Sequence, residues 1–143
     1  MTGVNRDLVR SRAAEIRAGV AQMRTYVAQP DETFFADERN LYSVQFLLLV
    51  TMEAAASLCS HILARSSRLA PASYAECLDG LRAAGIVDED VAARLTRMAR
   101  FRNLLVHRYW DVDGERVVHY AREDLGDFEA YLGAIGTWLG EAL

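Results

Sequence analysis

The apolar residues of this chain recur mostly at the spacing of an α-helix. Over residues 4–28 they follow one another at intervals of three and four, which is typical of an amphipathic helix with one narrow apolar seam. This pattern predicts a first helix, and Pro30 ends it because proline cannot continue the hydrogen-bond ladder. The seam consists of Val9, Ala13, Ile16, Val20, Met23 and Val27.

A second and longer helix is predicted for residues 37–65. At about 1.5 Å per residue it would be roughly 43 Å long. Its middle, residues 46–50, is apolar on every side, which predicts full burial there. Glu53 and His61 interrupt the apolar surface. For both we favour a solvated or hydrogen-bonded role within the bundle over a chemical one.

The rest of the chain carries signals for three more helices. Ser73 and Glu76 have the spacing of a capping box, and Asp88 is a suitable N-cap. Before the last helix, residues 111–115 have the composition of a turn, and the apolar run at 117–120 is predicted to be extended. The predicted helices span residues 73–84, 88–107 and 124–139, after a connection at residues 66–72.

Composition supports an all-α fold. The 143-residue chain has the length of one domain and is 52% hydrophobic, with only 2 prolines to interrupt helices. We predict a single all-α domain over residues 1–143, an up-and-down bundle of four to five helices. The amino terminus lacks the apolar segment of a signal peptide, and no continuous run of about 18 apolar residues is present. We therefore expect a cytoplasmic protein that does not insert into a membrane.

The two cysteines, Cys59 and Cys77, give no sign of special chemistry. Neither belongs to a CxxC pair or has a histidine at zinc-ligand spacing, so the sequence favours neither a disulfide framework nor a zinc site. We expect both to be buried thiols that pack as small hydrophobic residues. No metal and no cofactor is predicted.

Charge is distributed unevenly along the chain. The net charge of −4 argues against a general binder of polyanions, because nonspecific nucleic-acid affinity comes largely from excess positive charge. Residues 94–109 nevertheless contain five arginines and no acid, whereas residues 111–129 contain seven acids and two arginines. Most of these arginines are expected to be solvated or paired with the acids. The five are Arg94, Arg97, Arg100, Arg102 and Arg108.

The end of the fourth predicted helix gathers groups that can act on a phosphate. His107 can exchange protons near neutral pH, and arginine can bind a phosphate through two parallel hydrogen bonds. Asn103 and His107 are four residues apart and share a helix face. Arg102 and His107 point roughly 140° apart and lie about 7.5 Å apart along the axis, so a second copy of the helix, in a symmetric dimer, would be needed to join them.

A purely structural reading of the same helix end is simpler on physical chemistry alone. Cationic residues near the carboxyl end of a helix interact favourably with its dipole. Asn103 and His107 could also bond the last free carbonyl groups. Under this reading the segment caps a helix and has no chemistry of its own.

The residues themselves carry a family resemblance. Residues 102–109 read RNLLVHRY, which resembles the R-N-x-L-V-H-x-Y motif of the HEPN superfamily, and in particular of its HepT-like toxins. The motif is far more specific in this helical context than a bare pair of arginine and histidine. The similarity covers roughly residues 40–139 and includes the segments 59–63, 73–76, 85–87, 112–113 and 124–125.

The resemblance implies a dimeric, metal-independent ribonuclease. In such proteins the motifs of two chains meet in a cleft, where the 2′-OH of the RNA attacks the neighbouring phosphate. By this resemblance Arg102 and His107 are the catalytic residues and Asn103 supports them by orienting the phosphate or the imidazole. Arg100 and Arg108 form the electrostatic margin that contacts the RNA.

The resemblance also implies a partner. HepT-like toxins are usually encoded beside a minimal nucleotidyltransferase (MNT) antitoxin, which can adenylylate the motif tyrosine. Tyr109 occupies that position and is the predicted modification site, where bulky anionic AMP groups would repel RNA. The chain is not expected to be the transferase itself, because it lacks the Gly-Ser dipeptide that such enzymes place before their metal-binding carboxylates.

Two alternatives remain open on the sequence. The chain could be a catalytically silent helical subunit that holds a nucleotide or substrate for a separate nucleotidyltransferase, with the same arginines serving that role. It could also be a purely structural dimerisation bundle. Tyr109, on the same residues, could be a packing aromatic at an interface.

Overall fold

The computed structural model describes residues 3–66, 71 and 73–143, with the backbone but not the side chain of Tyr109. Across these residues the regular elements are all helical, which confirms the predicted all-α fold. The connection predicted at 66–72 lies mostly outside the described residues. The elements are α1 (Arg6–Val27), α2 (Asp31–Ala36), α3 (Glu38–Ser66), α4 (Tyr74–Ala83), α5 (Glu89–His107), a 3-10 turn (Tyr109–Asp111), α6 (Gly114–Glu123) and α7 (Gly126–Leu139).

The first helix follows the predicted seam. The side chain of Asn5 accepts a hydrogen bond from the backbone N–H of Leu8 at 3.1 Å and caps the start of α1. All six seam residues are buried, so this prediction is confirmed. Pro30 has a second role that the sequence reading missed, because it is also the N-cap of the short helix α2.

The long helix α3 lies at the centre of the bundle. It contacts α1, α2, α4, α5 and α6. Gly19 lets α1 approach closely, since a Cβ at this position would collide with the side chain of Thr51. From the other side the buried phenol of Tyr131 donates a hydrogen bond to the carbonyl of Ala55 at 3.0 Å. These contacts fix α3 as the frame on which the other helices are placed.

By length and composition alone α3 could also cross a membrane. Half of its most apolar window is buried inside the bundle, however, by the helices packed around it. A core helix of a water-soluble bundle has this same composition, because burial on several sides removes the need for polar residues. We therefore interpret α3 as a core helix.

The segment predicted to be extended, residues 117–120, is helical instead. It lies within α6, which begins after Asp113, whose side chain accepts a hydrogen bond from the backbone N–H of Glu115 at 2.9 Å. The buried residues of α6 are two adjacent pairs spaced by one turn, which is helical rather than strand periodicity. They are Val117, Val118, Tyr120 and Ala121.

The prediction of two separate thiols was wrong. Cys59 and Cys77 are buried as expected, but they form a disulfide between α3 and α4. The packing of these two helices places the Cα atoms 6.2 Å apart, within the range that a disulfide spans. The two cysteines are 18 positions apart and the segment between them includes an entire helix connection, so their proximity depends on tertiary packing.

Candidate functional site

The motif occupies the last turns of α5. Asp88 caps the helix by accepting a hydrogen bond from the backbone N–H of Val91 at 2.9 Å, as predicted. Buried residues at helical spacing hold the inner face of α5 against the core, which leaves Arg102, Asn103 and His107 outside that face. The helix ends at His107, after which Arg108 leaves the helical conformation. The buried residues are Val91, Leu95, Met98, Ala99, Phe101 and Leu105.

Arg102 is the motif residue that is most firmly held. Its Nε donates to Oε1 of Glu53 at 2.6 Å, and its Nη1 donates to Oδ1 of Asn103 at 3.1 Å. The Arg102 side chain is 25% exposed and that of Glu53 is 46% exposed. A guanidinium has five N–H groups, so three of them remain without a partner among the described residues. The arginine is thus oriented and still able to bind an anion.

Glu53 is a site residue that the sequence reading missed. It was expected to be solvated or hydrogen-bonded within the bundle, and the structure shows it hydrogen-bonded to Arg102. The two residues are 49 positions apart, so no local spacing relates them. The only available signal was an acid on an otherwise apolar helix. Because both groups are partly exposed, we treat the pair as an orienting contact more than a source of stability.

His107 and Asn103 lie one turn apart on the outer surface of α5. Both are exposed, and no described residue pairs with the His107 side chain. The structure brings Arg102 and Asn103 together, but among the described residues no side-chain hydrogen bond or ion pair joins His107 to either of them. This agrees with the helical phase, which places Arg102 and His107 on different faces of one helix.

The residues that follow His107 form a short turn. Tyr109 starts the 3-10 turn, and its side chain is outside the described part of the structure. Arg108 pairs with Asp111 at 3.0 Å, and both side chains are largely exposed. Arg100 is exposed and has no partner among the described residues. Of the two arginines predicted to contact RNA, Arg100 is therefore the one left unpaired.

The remaining two arginines of α5 have a structural role. Arg94 and Arg97 both contact Asp127, at 3.3 Å and 2.7 Å, and Asp127 is completely buried at the start of α7. Tyr120 also donates a hydrogen bond to Asp127 at 3.2 Å. Hydrogen bonding to Asp127 raises the pKa of Arg97 above its usual value. The predicted pairing of this basic segment with the acids after residue 111 is confirmed for these two arginines and for Arg108.

The prediction that residues 46–50 are buried on every side was wrong, because the outer face of α3 is apolar and exposed there. Tyr42, Phe46 and Val50 are 60%, 64% and 41% exposed, although Leu48 between them is fully buried. Their spacing of four residues puts them on one face, and Glu53 continues that face. We call Tyr42, Phe46 and Val50 the α3 stripe. It is an uncovered apolar surface that ends at the carboxylate holding Arg102.

Two cavities flank α5. The first, of about 720 Å³, is bounded by α3, α4 and α5 and includes Arg102 and Asn103 in its wall; we call it the α3–α5 groove. The second, of about 860 Å³, lies between α5 and α6 and contains His119 and Arg116; we call it the α5–α6 cleft. Only the groove touches the motif. Among residues 3–66, 71 and 73–143 no three His, Cys, Asp or Glu side chains are grouped so that they could hold a metal ion.

Comparison with known families identifies the protein family of this chain. The model of the HepT-like ribonucleases matches residues 16–135, which is most of the chain. The chain belongs to the HepT-like ribonuclease family. The recognition made from residues 102–109 is therefore confirmed, and with it the family's all-α fold. No curated protein sequence matches the chain.

Solved structures share the HepT-like fold along nearly the whole chain. A tri-AMPylated HEPN toxin of Shewanella oneidensis in complex with its MNT antitoxin is 23% identical, with a TM-score of 0.83, over 92% of this chain and 98% of that one. A mutant MntA toxin–antitoxin complex is 22% identical, with a TM-score of 0.79 and the same two coverages. YutE of Bacillus subtilis, described as a cytosolic protein of unknown function, is 17% identical, with a TM-score of 0.83, over 97% of this chain and 93% of that one.

Proposed function

We propose that this protein is the toxin of a toxin–antitoxin pair and acts as a metal-independent endoribonuclease. The observation that carries the proposal is the state of Arg102, which Glu53 and Asn103 orient while three of its N–H groups stay available. An oriented arginine, combined with an unpaired histidine from a second copy of the chain, has the chemistry that phosphodiester cleavage needs. Membership of the HepT-like ribonuclease family supports the same conclusion.

The proposed site forms between two copies of the chain. One helix separates Arg102 and His107 by phase, so a second α5 must supply the complementary group. The α3 stripe supports this assembly, because large exposed apolar side chains on one face are typical of a surface that another protein covers. Since Glu53 lies on the same face, a dimer through the stripe would bring the two Arg102 side chains towards each other.

In the proposed reaction the 2′-oxygen of the RNA attacks the adjacent phosphorus and the bond to the 5′-oxygen breaks. His107 moves a proton from the attacking hydroxyl to the leaving oxygen. Arg102 stabilises the charge on the phosphorane, and Asn103 orients the phosphate. The products are a 2′,3′-cyclic phosphate, which can open to a 3′-phosphate, and a 5′-hydroxyl. Arg100 and Arg108 guide the RNA backbone towards the site.

RNA cleavage in EDTA tests the proposal directly. The purified protein should cut RNA and leave 2′,3′-cyclic or 3′-phosphate ends, and His107→Ala should lose roughly 100-fold or more in rate. His119→Ala is a matched control, because His119 is exposed on α6 in the other cavity. If His107→Ala and His119→Ala cleave equally well, the catalytic assignment is wrong.

We propose a nucleotidyltransferase antitoxin as the partner and Tyr109 as the residue it modifies. Tyr109 lies two residues after His107, where α5 ends, so anionic AMP groups there would occupy the mouth of the site and repel RNA. Support comes from the Shewanella HEPN toxin of the same fold, which is tri-AMPylated in its antitoxin complex. Both the RNA and the partner's nucleotide substrate are cytoplasmic, so we propose the same compartment for this protein.

Mass spectrometry after incubation with the cognate transferase and ATP tests the modification. Added AMP mass should map to Tyr109 and disappear in Tyr109→Phe. Tyr42→Phe is the control, because Tyr42 is an exposed phenol outside the motif. If the partner fully inhibits the ribonuclease but adds no mass to Tyr109, inhibition would instead come from steric contact by the partner.

The second candidate is a silent subunit that binds a nucleotide for a separate transferase. It is favoured by the fact that Arg102 and Asn103 line a groove large enough for a nucleotide. It predicts nucleotide binding without RNA cleavage, lost in Arg102→Ala and kept in His107→Ala. The ribonuclease proposal predicts that both variants lose cleavage.

A further inference from the structure

The α3–α5 groove has walls suited to a flat aromatic ring. Small or apolar residues line its depth, among them Ala56 from α3, Leu78 from α4 and Ala99 from α5. Tyr74 contributes an aromatic side chain, and its hydroxyl is turned to the sulfur of Met98 at 3.8 Å. A volume of about 720 Å³ exceeds what one nucleoside needs. The groove therefore offers apolar surface and an aromatic side chain in one place.

Polar groups with free hydrogen-bonding capacity stand at the edges of the groove. The hydroxyl of Ser60 has no partner among the described residues. Asn103 uses its Oδ1 for Arg102, which leaves both N–H groups of its amide for another acceptor. Nucleobases present donors and acceptors on their edges and apolar faces above and below. The apolar walls of the groove and the polar groups at its edges are therefore complementary to a nucleobase.

The position of the groove relative to Arg102 is the decisive feature. Arg102 and Asn103 belong to its wall, so a phosphate bound by the free N–H groups of Arg102 lies at the groove's opening. Arg100, which borders both the groove and the α5–α6 cleft, adds a positive charge that favours an anionic backbone. Asp79, the one acid among the described residues of the groove wall, is paired with Arg82 at 3.6 Å.

The α5–α6 cleft is less suited to RNA despite its larger volume. The three carboxylates of its wall, Asp113, Glu115 and Asp124, are matched by three arginines, so the cleft has no excess positive charge to attract a phosphodiester backbone. Its two aromatic rings already have partners, because Phe101 stacks on Tyr120 at 5.1 Å and Arg116 lies over Phe101 at 5.7 Å. The cleft therefore serves as an internal control for the groove.

We propose that the α3–α5 groove binds the nucleobase beside the scissile phosphate and sets the base preference of cleavage. The proposal rests on the ribonuclease function proposed above. A base seated against Tyr74 and bonded by Ser60 and Asn103 would fix the register of the RNA on Arg102. Base contacts of this kind discriminate between sequences, whereas contacts to phosphate do not.

Uncleavable RNA separates this proposal from the ribonuclease proposal. The probes are short RNAs with one 2′-deoxy nucleotide that blocks cleavage, with either a normal or an abasic nucleotide beside it. The abasic change should weaken binding to the wild-type dimer about tenfold. In Ala56→Leu, which fills the groove, both RNAs should bind equally weakly. Ala93→Leu, in the α5–α6 cleft, should behave as the wild type.

A cleavage assay adds the second readout. The substrates are short single-stranded RNAs that carry every combination of two bases on either side of one central phosphate. The wild type should prefer one base by about tenfold, and Ala56→Leu should remove that preference. If Ala56→Leu does not fold, Ser60→Leu fills the groove from an exposed position. Equal binding of normal and abasic RNA by the wild type overturns the groove assignment, whether or not the protein cleaves. Tighter binding of free AMP than of RNA would also overturn it and assign the groove to a free nucleotide.

Discussion

Helix α5 carries two sets of arginines with the same chemistry and opposite surroundings. Arg94 and Arg97, in its first half, share Asp127, a carboxylate with no exposed surface. Arg102, in its second half, meets Glu53, which is 46% exposed, and Arg100 meets no described carboxylate. The residue type alone therefore does not decide what an arginine does in this helix.

The burial of the opposing carboxylate makes the difference. An ionised carboxylate deep in the bundle must keep its partners, because removing one leaves an uncompensated buried charge. A carboxylate at the surface can exchange its partner for water or for a phosphate at little cost. The first half of α5 is consequently committed to the fold, and the second half remains available for a ligand. Four experiments test this contrast.

The largest effect is expected for Asp127→Ala. It should lower the free energy of unfolding by about 2–4 kcal/mol, because the buried hydroxyl of Tyr120 is left without its acceptor and Arg94 and Arg97 lose their charge-assisted hydrogen bonds. Glu53→Ala should lower it by less than about 1 kcal/mol, since that pair is exposed to solvent. Urea unfolding of both variants measures the two values. Similar losses would remove the distinction between the halves of α5.

For RNA cleavage the second half of α5 should matter more than the first half, which is the reverse of the order expected for stability. Arg102→Ala should reduce the rate of RNA cleavage by about 10²–10³-fold, as expected for loss of a donor that stabilises transition-state charge. Arg94→Ala, with Arg97 still on Asp127, should stay close to the wild-type rate at a temperature where both variants are folded. Arg102→Lys should recover only part of the rate, because lysine lacks the planar fork. A comparable loss in Arg94→Ala would contradict the division.

In the proposed assembly a second copy of the chain completes the site, so the α3 stripe should matter for activity and not for folding. Phe46→Glu puts a charge on an exposed position of the stripe. It should convert the dimer to a monomer in sedimentation and reduce cleavage by about tenfold or more, because charge at the core of an interface opposes association. Gln22→Glu, an exposed change on α1, is the control. A monomeric but fully active Phe46→Glu would show that one chain suffices.

The smallest effect should come from Arg100. Arg100→Gln removes one phosphate contact, so the slope of log affinity for single-stranded RNA against log salt should become shallower by about 0.7. Arg94→Gln should leave the slope unchanged, because Asp90 and Asp127 already occupy its guanidinium. Titration of a labelled RNA at several salt concentrations measures both. If the slope changed in Arg94→Gln and not in Arg100→Gln, Arg94 and not Arg100 would be the residue that contacts phosphate.

The parts of the fold that follow local patterns could be predicted from the sequence. The seam of α1 and the capped start of α5 depend only on neighbours along the chain. The seven residues from Asp111 to Val117 were harder, because Asp113 can serve a turn or cap a helix equally well. Burial of Val117 and Val118 against the core selects the helix.

Other features depend on contacts between distant segments. The Cys59–Cys77 disulfide requires α4 to pack on α3, and Glu53 becomes a site residue only because α5 places Arg102 beside it. The exposure of Phe46 has a different cause. An apolar stretch predicts that a surface will be covered, but it does not say whether the same chain or another one will cover it. The roles of Arg102, His107 and Tyr109 stay predictions.

The uncovered α3 stripe has a consequence for dosage. If the active site forms only where two stripes meet, then at concentrations well below the dissociation constant of the dimer the amount of active enzyme varies with the square of the chain concentration. Halving the supply of the chain would then quarter the cleavage. A cell with a few stray copies would be protected by dilution alone, before any antitoxin acts.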